Sequence, residues 1–458
     1  MADAPVPIVI GAGWSGLACA VQLVRQGHRP LVLDAAPCVG GRARGLDHDL
    51  GGARLRLDNG QHLLLGAYHE TLALMAEVGV APSNALACMP FAVQYPDGWR
   101  LAASRAPAPW HLGLGVLRAR EVPWSERIAL VHWTLRQRQA RWRVASDMPA
   151  DRLFAGEPRE LVRRLWRPLC LAALNVELGQ ASARVLLNVL GDSLGAGAEA
   201  SQLQLPRTDL SNLFPDAAVS WLRARGAELR LHTPVLGLRF GPPAGPPGPP
   251  LVQTRDALLP ASAVVLAVPP ERCAGLLADA PAAGASSLAL LRRVRTAPIC
   301  TSYLRYSRQA RLRRPFFALL DEPSRGHYGQ WVFDRGALDP SLAGVLSVIV
   351  SGAGAHMDLS RATLGLCVAE QLSRCFGLPA PLDHFTVMEK HATLVPGPDL
   401  RRPAVALPLA GVFLASDAAH SPYPSTIEGS VRSGLAAARA VGPRTAPQHS
   451  AVQIPAIV

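Results

Sequence analysis

The fold is decided by the stretch Ile8-Val9-Ile10-Gly11-Ala12-Gly13-Trp14-Ser15-Gly16-Leu17. An apolar run ends in Gly-x-Gly-x-x-Gly and passes into an apolar sequence with helical spacing, which predicts a strand, a tight turn and a helix. In this pattern Gly11 permits the turn, Gly13 lets a pyrophosphate approach the backbone, and Gly16 lets helix and strand pack closely. Free N–H groups at the helix start, around Trp14 and Ser15, then bind phosphate without a lysine. The stretch predicts a dinucleotide site.

A second apolar run, Leu31-Val32-Leu33, ends at Asp34, about 20 residues after the glycines. At that distance a carboxylate accepts hydrogen bonds from ribose hydroxyls, and it would repel a 2′-phosphate. The strand, the helix and the acid all stand where the mechanism needs them. The pattern is therefore far more specific than glycines alone.

Six residues past Asp34 come Gly40-Gly41-Arg42. Together with the preceding motif, this segment resembles the N-terminal signature of the FAD-dependent amine oxidase and phytoene desaturase superfamily. The resemblance implies FAD as the cofactor, with Gly41 and Arg42 near its pyrophosphate. It also implies an α/β fold in which a Rossmann-like FAD-binding domain is interleaved with an α+β substrate domain.

The expected domain boundaries follow from that resemblance. Residues 1–90, 216–270 and 401–445 form the discontinuous FAD-binding domain, and residues 91–215 and 271–400 form the substrate domain. Residues 151–215 are expected to form its helical cap, and residues 446–458 a C-terminal tail. The tract 241–250, rich in proline and glycine, is expected to be a surface loop inserted in a hairpin.

The far end of the chain carries a second flavin motif. A predicted strand ends at Ser416-Asp417, and a loop leads through Thr426 and Ile427 into an alanine-rich helix. The N–H groups at such a helix start stabilise negative charge on a reduced flavin ring. By resemblance, Asp417 binds the ribityl–phosphate arm, although the superfamily usually has glycine where this chain has Ser416.

Other candidate site residues lie between these ends. Gly60, Gln61 and His62 follow an Asn-Gly turn signal and by resemblance lie near the flavin ring, with His62 as the first candidate proton donor. Tyr303 is a weaker candidate donor. By the same resemblance, Val235 is expected to lie beside the adenine through its backbone groups. Amine oxidases of the superfamily usually place a lysine on a strand like 298–303, and this chain has none there, which argues against amine oxidation.

Composition narrows the class. The 458 residues are 49% hydrophobic and 17% charged, so they can bury large cores. The net charge of +12 comes almost wholly from arginine and suits anionic partners, but no nucleic-acid motif accompanies it. The sequence shows no metal-ligand cluster and no export signal, and the longest uncharged stretch, 340–357, is interrupted by polar residues and predicts a buried strand. We expect a cytoplasmic protein of unknown oligomeric state.

Residues 124–142 predict an amphipathic basic helix with Trp124, Ile128, Val131, Leu135 and Trp142 on one face. That face either covers a protein core, which base rates favour, or lies in a membrane interface with the arginines at anionic head groups. The second alternative implies peripheral contact with the inner face of the membrane.

A narrower resemblance runs along almost the whole chain. Asn59-Gly60-Gln61-His62, the segments 166–175 and 389–393, and Thr426-Ile427-Glu428-Gly429 look like those of the hydroxysqualene dehydroxylases, also called squalene-associated FAD-dependent desaturases. The family implies reduction of hydroxysqualene, a lipophilic triterpene, to squalene in hopanoid or related synthesis. Two alternatives remain: an isoprenoid or carotenoid desaturase that takes hydride onto FAD, and a flavin-free carrier of prenylated partners.

Overall fold

The computed structural model describes residues 4–108, 110–241 and 248–444. The predicted tail 446–458 and most of the proline-glycine tract lie outside these ranges. The strands are β1 (Val6–Ile10), β2 (Leu31–Leu33), β3 (Gly45–Leu50), β4 (Ala53–Asp58), β5 (Leu64–Leu65), β6 (Leu86–Met89), β7 (Ala92–Gln94), β8 (Arg100–Ala102), β9 (Leu203–Pro206), β10 (Glu228–Arg230), β11 (Gly237–Arg239), β12 (Leu251–Gln253), β13 (Leu258–Leu259), β14 (Ala261–Leu266), β15 (Thr296–Arg305), β16 (Phe316–Ala318), β17 (Trp331–Asp334), β18 (Val345–Ser351), β19 (Asp383–Leu394) and β20 (Val412–Leu414). The α-helices are α1 (Trp14–Arg25), α2 (His69–Glu77), α3 (Pro82–Ala85), α4 (Trp110–Leu117), α5 (Trp124–Gln139), α6 (Arg159–Leu161), α7 (Arg167–Leu174), α8 (Ala183–Leu190), α9 (Leu210–Leu213), α10 (Pro215–Arg223), α11 (Pro270–Leu276), α12 (Ala285–Arg293), α13 (Arg361–Phe376) and α14 (Ile427–Val441).

A parallel five-stranded sheet is assembled from distant parts of the chain, in the order β10-β2-β1-β14-β20. Its central strands β1 and β14 are mainly apolar and are buried apart from Val6 and Ser262, as expected for a sheet covered on both faces by helices. Ligands of such doubly wound sheets bind outside the carboxyl ends of the strands. The predicted Rossmann-like fold is confirmed.

Helices α1 and α14 pack tightly against each other on this sheet. A Cβ at Gly434 would collide with the carbonyl oxygen of Ser15, so glycine is what allows the two helices to approach. The Ser15 hydroxyl also donates to the carbonyl of Ala415 at the end of β20. The two ends of the chain are thereby fixed together beside the glycine loop.

A second sheet is antiparallel, in the order β16-β17-β18-β15-β19, and α13 packs on one side of it. The uncharged stretch 340–357 contributes β18, a buried strand as predicted. Within the described ranges, no helix has the length and apolar character needed to cross a membrane.

Residues 151–215 are mostly helical but are not a purely helical cap. Strand β9 runs through them and pairs with β5 and β6 from the N-terminal part of the chain. Two π-helical turns, Val162–Trp166 and Gly191–Gly195, interrupt the helices. Such turns often occur at functional sites.

The core interpretation of the helix at 124–142 is wrong. Helix α5 forms, but its buried face carries Glu126, Leu130 and Trp133. Most of the predicted core face is exposed: Trp124 is 63%, Ile128 54% and Leu135 50% accessible, together with Val131. The fifth predicted residue, Trp142, lies beyond the end of α5 and is half-buried against the core. Trp110 and Leu117 of α4 are also exposed. We call the surface formed by these six residues the α4–α5 face: Trp110, Leu117, Trp124, Ile128, Val131 and Leu135.

Candidate functional site

The glycine loop has the geometry that the sequence predicts. Gly11 has φ +112°, and a Cβ there would collide with the carbonyl of Ala267. A Cβ at Gly16 would collide with the carbonyl of Gly11. Gly13 differs from both, because the nearest atom to its Cβ position is the Cα of Gly41, 3.8 Å away. Gly11 and Gly16 thus serve the fold, and Gly13 leaves open space over the loop.

The start of α1 has free backbone donors, as the predicted phosphate site requires. Gly13 caps α1 with no side-chain hydrogen bond, so the first N–H groups of the helix remain available to a ligand. Trp14 and Ser15 turn their side chains into the protein, with the indole Nε1 of Trp14 donating to the carbonyl of Ala43 at 2.7 Å. Their contribution to a cofactor would come from the backbone.

Asp34 lies at the end of β2, beside the loop. Its carboxylate accepts hydrogen bonds from the N–H groups of Ala12 at 2.6 Å and Ala36 at 2.8 Å. The segment that carries Val235 is held close by, since Thr233 N–H donates to the carbonyl of Asp34 at 2.8 Å. Among the described residues, no hydrogen bond engages the backbone of Val235, which is the group predicted to meet the adenine.

Arg42 and Asp417 form an ion pair, with Nη2 and Oδ2 2.9 Å apart. Asp417 also accepts from the hydroxyl of Ser425 at 2.8 Å, and Arg42 also donates to the carbonyl of Ala392. Burial raises the pKa of Asp417, but Arg42 and Ser425 outweigh it and hold that pKa below its ordinary value. The carboxylate is therefore charged, and its buried Oδ1 has no partner among the described residues.

Helix α14 begins at the predicted place. Thr426 is its N-cap, and the hydroxyl of Thr426 accepts from Gly429 N–H at 3.0 Å. Ser416, where the superfamily usually has glycine, uses its hydroxyl to accept from Ala418 N–H at 3.2 Å. The turn before Asp417 is therefore formed with serine in place.

His62 lies in a segment, Gly60 to His62, that is held by side-chain hydrogen bonds. Its Nδ1 is 2.7 Å from the carbonyl oxygen of Gly60. Because a carbonyl only accepts, Nδ1 carries a proton and Nε2 is left to act on a ligand. Next to it, the amide oxygen of Gln61 accepts from Arg335 and from the hydroxyl of Ser347, so that Gln61 faces the antiparallel sheet. Burial lowers the pKa of His62, opposed by its bond to Gly60.

Tyr303 is not brought to the cavity. Its hydroxyl donates to the carbonyl of Asp58 at 2.9 Å, and its ring packs among Leu50, Leu57 and Val345. Burial raises the pKa of this hydroxyl, which makes it a poorer acid. Tyr303 shares a face of β15 with Ile299, which does line the cavity, but lies four residues further along the strand.

A cavity of about 300 Å³ joins the predicted residues of both chain ends. Its lining includes Arg42, Asn59, Gly60, Gln61, His62, Ser425, Thr426 and Ile427. Further polar residues, among them Asn175, Asp192, Glu389 and Glu428, also line it. Most of the remaining lining residues are apolar, among them Leu63, Phe91, Val93, Leu169, Leu171, Phe316, Phe333 and Ile349. The cavity is therefore mainly apolar, with several polar groups in its wall.

Several residues of the site escaped the sequence analysis. Glu428, 3% exposed, accepts from the N–H groups of Glu70 and Thr71 and thereby caps α2. Arg432 donates to Glu428 at 2.7 Å and lies over the ring of Tyr423, whose hydroxyl donates to Asp192 at 2.6 Å. Glu428 belongs to the motif Thr426-Ile427-Glu428-Gly429, but Thr71 at the start of α2, which it caps, is 357 positions away. No local sequence pattern indicates such a contact.

A family model for flavin containing amine oxidoreductases matches residues 14–442. The chain belongs to this family. Over 451 residues it is 30% identical to a hydroxysqualene dehydroxylase from Rhodopseudomonas palustris, covering 94% of this chain and 96% of that protein. It is 29% identical to a hydroxysqualene dehydroxylase from Sinorhizobium fredii over the same shares of the two chains. The narrower resemblance is thereby confirmed at the level of family.

The fold agrees with solved structures. An oxidoreductase from Methanosarcina mazei superposes with a TM-score of 0.71 at 15% identity, over 94% of this chain and 99% of that chain. This member of the amine oxidoreductase family is an FAD-dependent oxidoreductase, so the alternative of a flavin-free carrier is dropped. Its residues fit FAD, because Gly13 leaves the loop open and the buried Oδ1 of Asp417 lacks a partner.

Proposed function

We propose that this flavoprotein reduces hydroxysqualene to squalene. The observation that carries the proposal is the cavity, in which His62 and the predicted flavin residues Arg42, Thr426 and Ile427 share a mainly apolar wall. A long hydrocarbon with one hydroxyl group matches that distribution. The hydroxysqualene dehydroxylases to which the chain is 30% and 29% identical support the same substrate.

The chemistry requires little from the protein. Reduced FAD would be held by Gly13, Asp34, Arg42, Asp417 and Thr426 and would supply the hydride. His62 in its protonated form donates from Nε2 to the substrate hydroxyl, which leaves as water. Loss of the hydroxyl group leaves a delocalised cation at the allylic carbon, and the hydride adds to that carbon. The apolar wall excludes water that would otherwise capture the cation.

The missing lysine agrees with this chemistry. The chain has one lysine, Lys390, which is exposed on β19. On β15, Thr301 lies beside Gly60, with 3.8 Å between its Oγ1 and the Cβ position of Gly60. Strand β15 therefore lacks the lysine that amine oxidases of the superfamily usually place on such a strand.

Product analysis tests the proposal. Enzyme with reduced FAD is incubated anaerobically with hydroxysqualene, and the lipid extract is analysed by mass spectrometry. We expect squalene. A desaturase would instead yield a more unsaturated product from oxidised enzyme and an isoprenoid chain, and no squalene from the reduced enzyme, which would overturn the proposal.

We also propose that the enzyme is cytoplasmic and docks peripherally on the inner face of the membrane through the α4–α5 face. Of the eleven exposed large apolar side chains in the described part of the chain, six belong to this face. Six exposed arginines lie close to them in the sequence: Arg118, Arg120, Arg136, Arg138, Arg141 and Arg143. Apolar side chains with arginines at the rim suit an interface with anionic lipids.

A further inference from the structure

A second cavity, of about 210 Å³, lies beneath the α4–α5 face. Its lining is mainly apolar and comes largely from α4, α5, β8 and the two π-helical turns, with Leu112, Val116, Leu130, Trp133 and Trp166 among the residues. His111, Thr134 and Arg138 are the polar side chains of this lining. The hydroxysqualene proposal does not use this space. Its position nevertheless relates it to both the surface and the site.

The outer end of the second cavity opens at the α4–α5 face. Val131 and Leu135 line the cavity and are also exposed, 41% and 50% accessible. Ala108, another exposed residue, lies at the same rim. An apolar cavity with an apolar, exposed rim would open to water unless a hydrocarbon phase covers it.

The inner end of the second cavity meets the first. Phe91 and Leu194 line both cavities. Leu194 belongs to the π-helical turn Gly191–Gly195, in which Asp192 faces the first cavity and Gly195 the second. This turn is held from the first side by Tyr423, whose hydroxyl donates to Asp192. A single turn of chain and one phenylalanine therefore separate the two spaces.

The substrate cannot occupy the whole of the first cavity. Arg42, Gly60, Thr426 and Ile427 line it, and these are residues expected to lie against the flavin. A cofactor bound there would occupy part of the 300 Å³. A long isoprenoid chain would then need further apolar space in line with what remains, and the second cavity supplies it.

We infer that the second cavity is an entrance site that takes the polyisoprenoid chain from the bilayer and passes it, between Phe91 and Leu194, to the first cavity. The inference rests on the proposed function for the identity of the substrate. The binding of an isoprenoid chain in the second cavity is a separate claim and does not require turnover.

Photolabelling tests that claim directly. Geranylgeraniol with a terminal diazirine is presented to the FAD-loaded enzyme in vesicles of equal parts phosphatidylcholine and phosphatidylglycerol, and labelled residues are mapped by mass spectrometry. We expect label at Leu112, Val116 or Leu130. Leu112→Trp, which fills the cavity, should reduce that label by roughly tenfold or more. Labelling confined to the first cavity would overturn the inference.

Two further variants guard against misfolding. Ala108→Trp narrows the rim from an exposed position, so it should reduce the label without lowering the thermal unfolding midpoint or FAD binding. Leu366→Trp, 58% exposed on α13, is the matched control and should label like wild type. Label unchanged in both cavity variants would contradict the inference. If the second cavity is labelled but no squalene forms, the proposed function fails while the entrance site stands.

Discussion

Arg42 and Asp417 are 375 positions apart in the chain, and their side chains meet with Nη2 2.9 Å from Oδ2. Arg42 follows the glycine pair after the second strand, and Asp417 follows the last strand of the same parallel sheet. Because parallel strands end at the same edge, the two motifs converge there. The predicted flavin site is thus formed by both ends of the chain, and this ion pair adds to the packing of α1 on α14 that joins them.

Substitutions at the three glycines of the loop should distinguish an effect on folding from an effect on cofactor binding. Gly13→Ala places a methyl group 3.8 Å from its nearest neighbour and at φ −75°, which alanine adopts freely. We expect a folded apoprotein whose FAD affinity falls by roughly tenfold or more, as measured by flavin fluorescence titration.

Gly11→Ala and Gly16→Ala should instead impair folding, because each added Cβ collides with a backbone carbonyl. Thermal unfolding of the apoproteins separates the classes. A Gly13→Ala protein that binds FAD as tightly as wild type would show that the cofactor does not approach the loop at this residue.

Asp417→Asn tests the carboxylate. The variant keeps the size of the side chain but removes the charge that Arg42 pairs with, and we expect FAD affinity to fall by roughly tenfold. Asp321→Asn is the matched control, because Asp321 forms a comparable ion pair with Arg167 at 2.6 Å that does not line the cavity. Equal losses of FAD affinity in both variants would mean that Asp417 acts only through general stability.

His62 predicts a pH dependence. Its pKa is lowered from an ordinary value of 6.5, so the protonated, acid form becomes common only below that pH. Turnover limited by this acid should rise as the pH falls and keep rising below 6.5. His62→Gln should lose roughly 10²-fold or more in turnover and lose this slope, while still binding FAD. The exposed His69→Gln is the control, and a wild-type slope in His62→Gln would exclude His62 as the acid.

Glu428 should contribute to stability. Glu428→Gln weakens charge-assisted hydrogen bonds to the start of α2 and the ion pair with Arg432, so we expect a loss of about 1–2 kcal/mol in unfolding free energy. Glu370→Gln is the control, since Glu370 is 57% exposed in its pair with Arg374 and should change stability by less than about 0.5 kcal/mol. Denaturant unfolding of both variants decides this, and equal effects would contradict the capping role.

The α4–α5 face should bind anionic vesicles. Ile128→Glu with Leu135→Glu should reduce co-sedimentation with phosphatidylcholine–phosphatidylglycerol vesicles by roughly tenfold, because two charges enter the interface. Leu366→Glu with Leu382→Glu, equally exposed elsewhere, is the control. If the wild-type protein does not bind vesicles, and Ile128→Glu with Leu135→Glu instead dissociates a dimer, then the α4–α5 face is covered by a second copy of the chain.

The flavin motifs were predictable because their chemistry constrains local sequence. Gly11, Gly16 and Asp34 have few other uses at their spacing. The structure puts the two glycines where the turn and the helix packing require them, and Asp34 at the end of β2 beside the loop. Tyr303 was harder to place. Alternation along β15 indicates which residues share a face, but not how far along the strand the cavity extends.

Helix α5 shows a different limit. Its apolar residues make two stripes, one through Leu130 and Trp133 and one through Ile128 and Leu135, and spacing alone cannot decide which is buried. The second cavity was also beyond local patterns, since its walls come from segments more than a hundred positions apart. The domain boundaries stay a proposal.

The most direct test of the central claim follows the hydrogen that replaces the hydroxyl group. Enzyme with FAD reduced in deuterated water is mixed anaerobically with hydroxysqualene, and the product is analysed by mass spectrometry. A hydride delivered from the flavin, whose N5 hydrogen exchanges with solvent, predicts squalene with a single deuterium at the carbon that carried the hydroxyl. Failure to form squalene, or squalene without deuterium, would contradict the account.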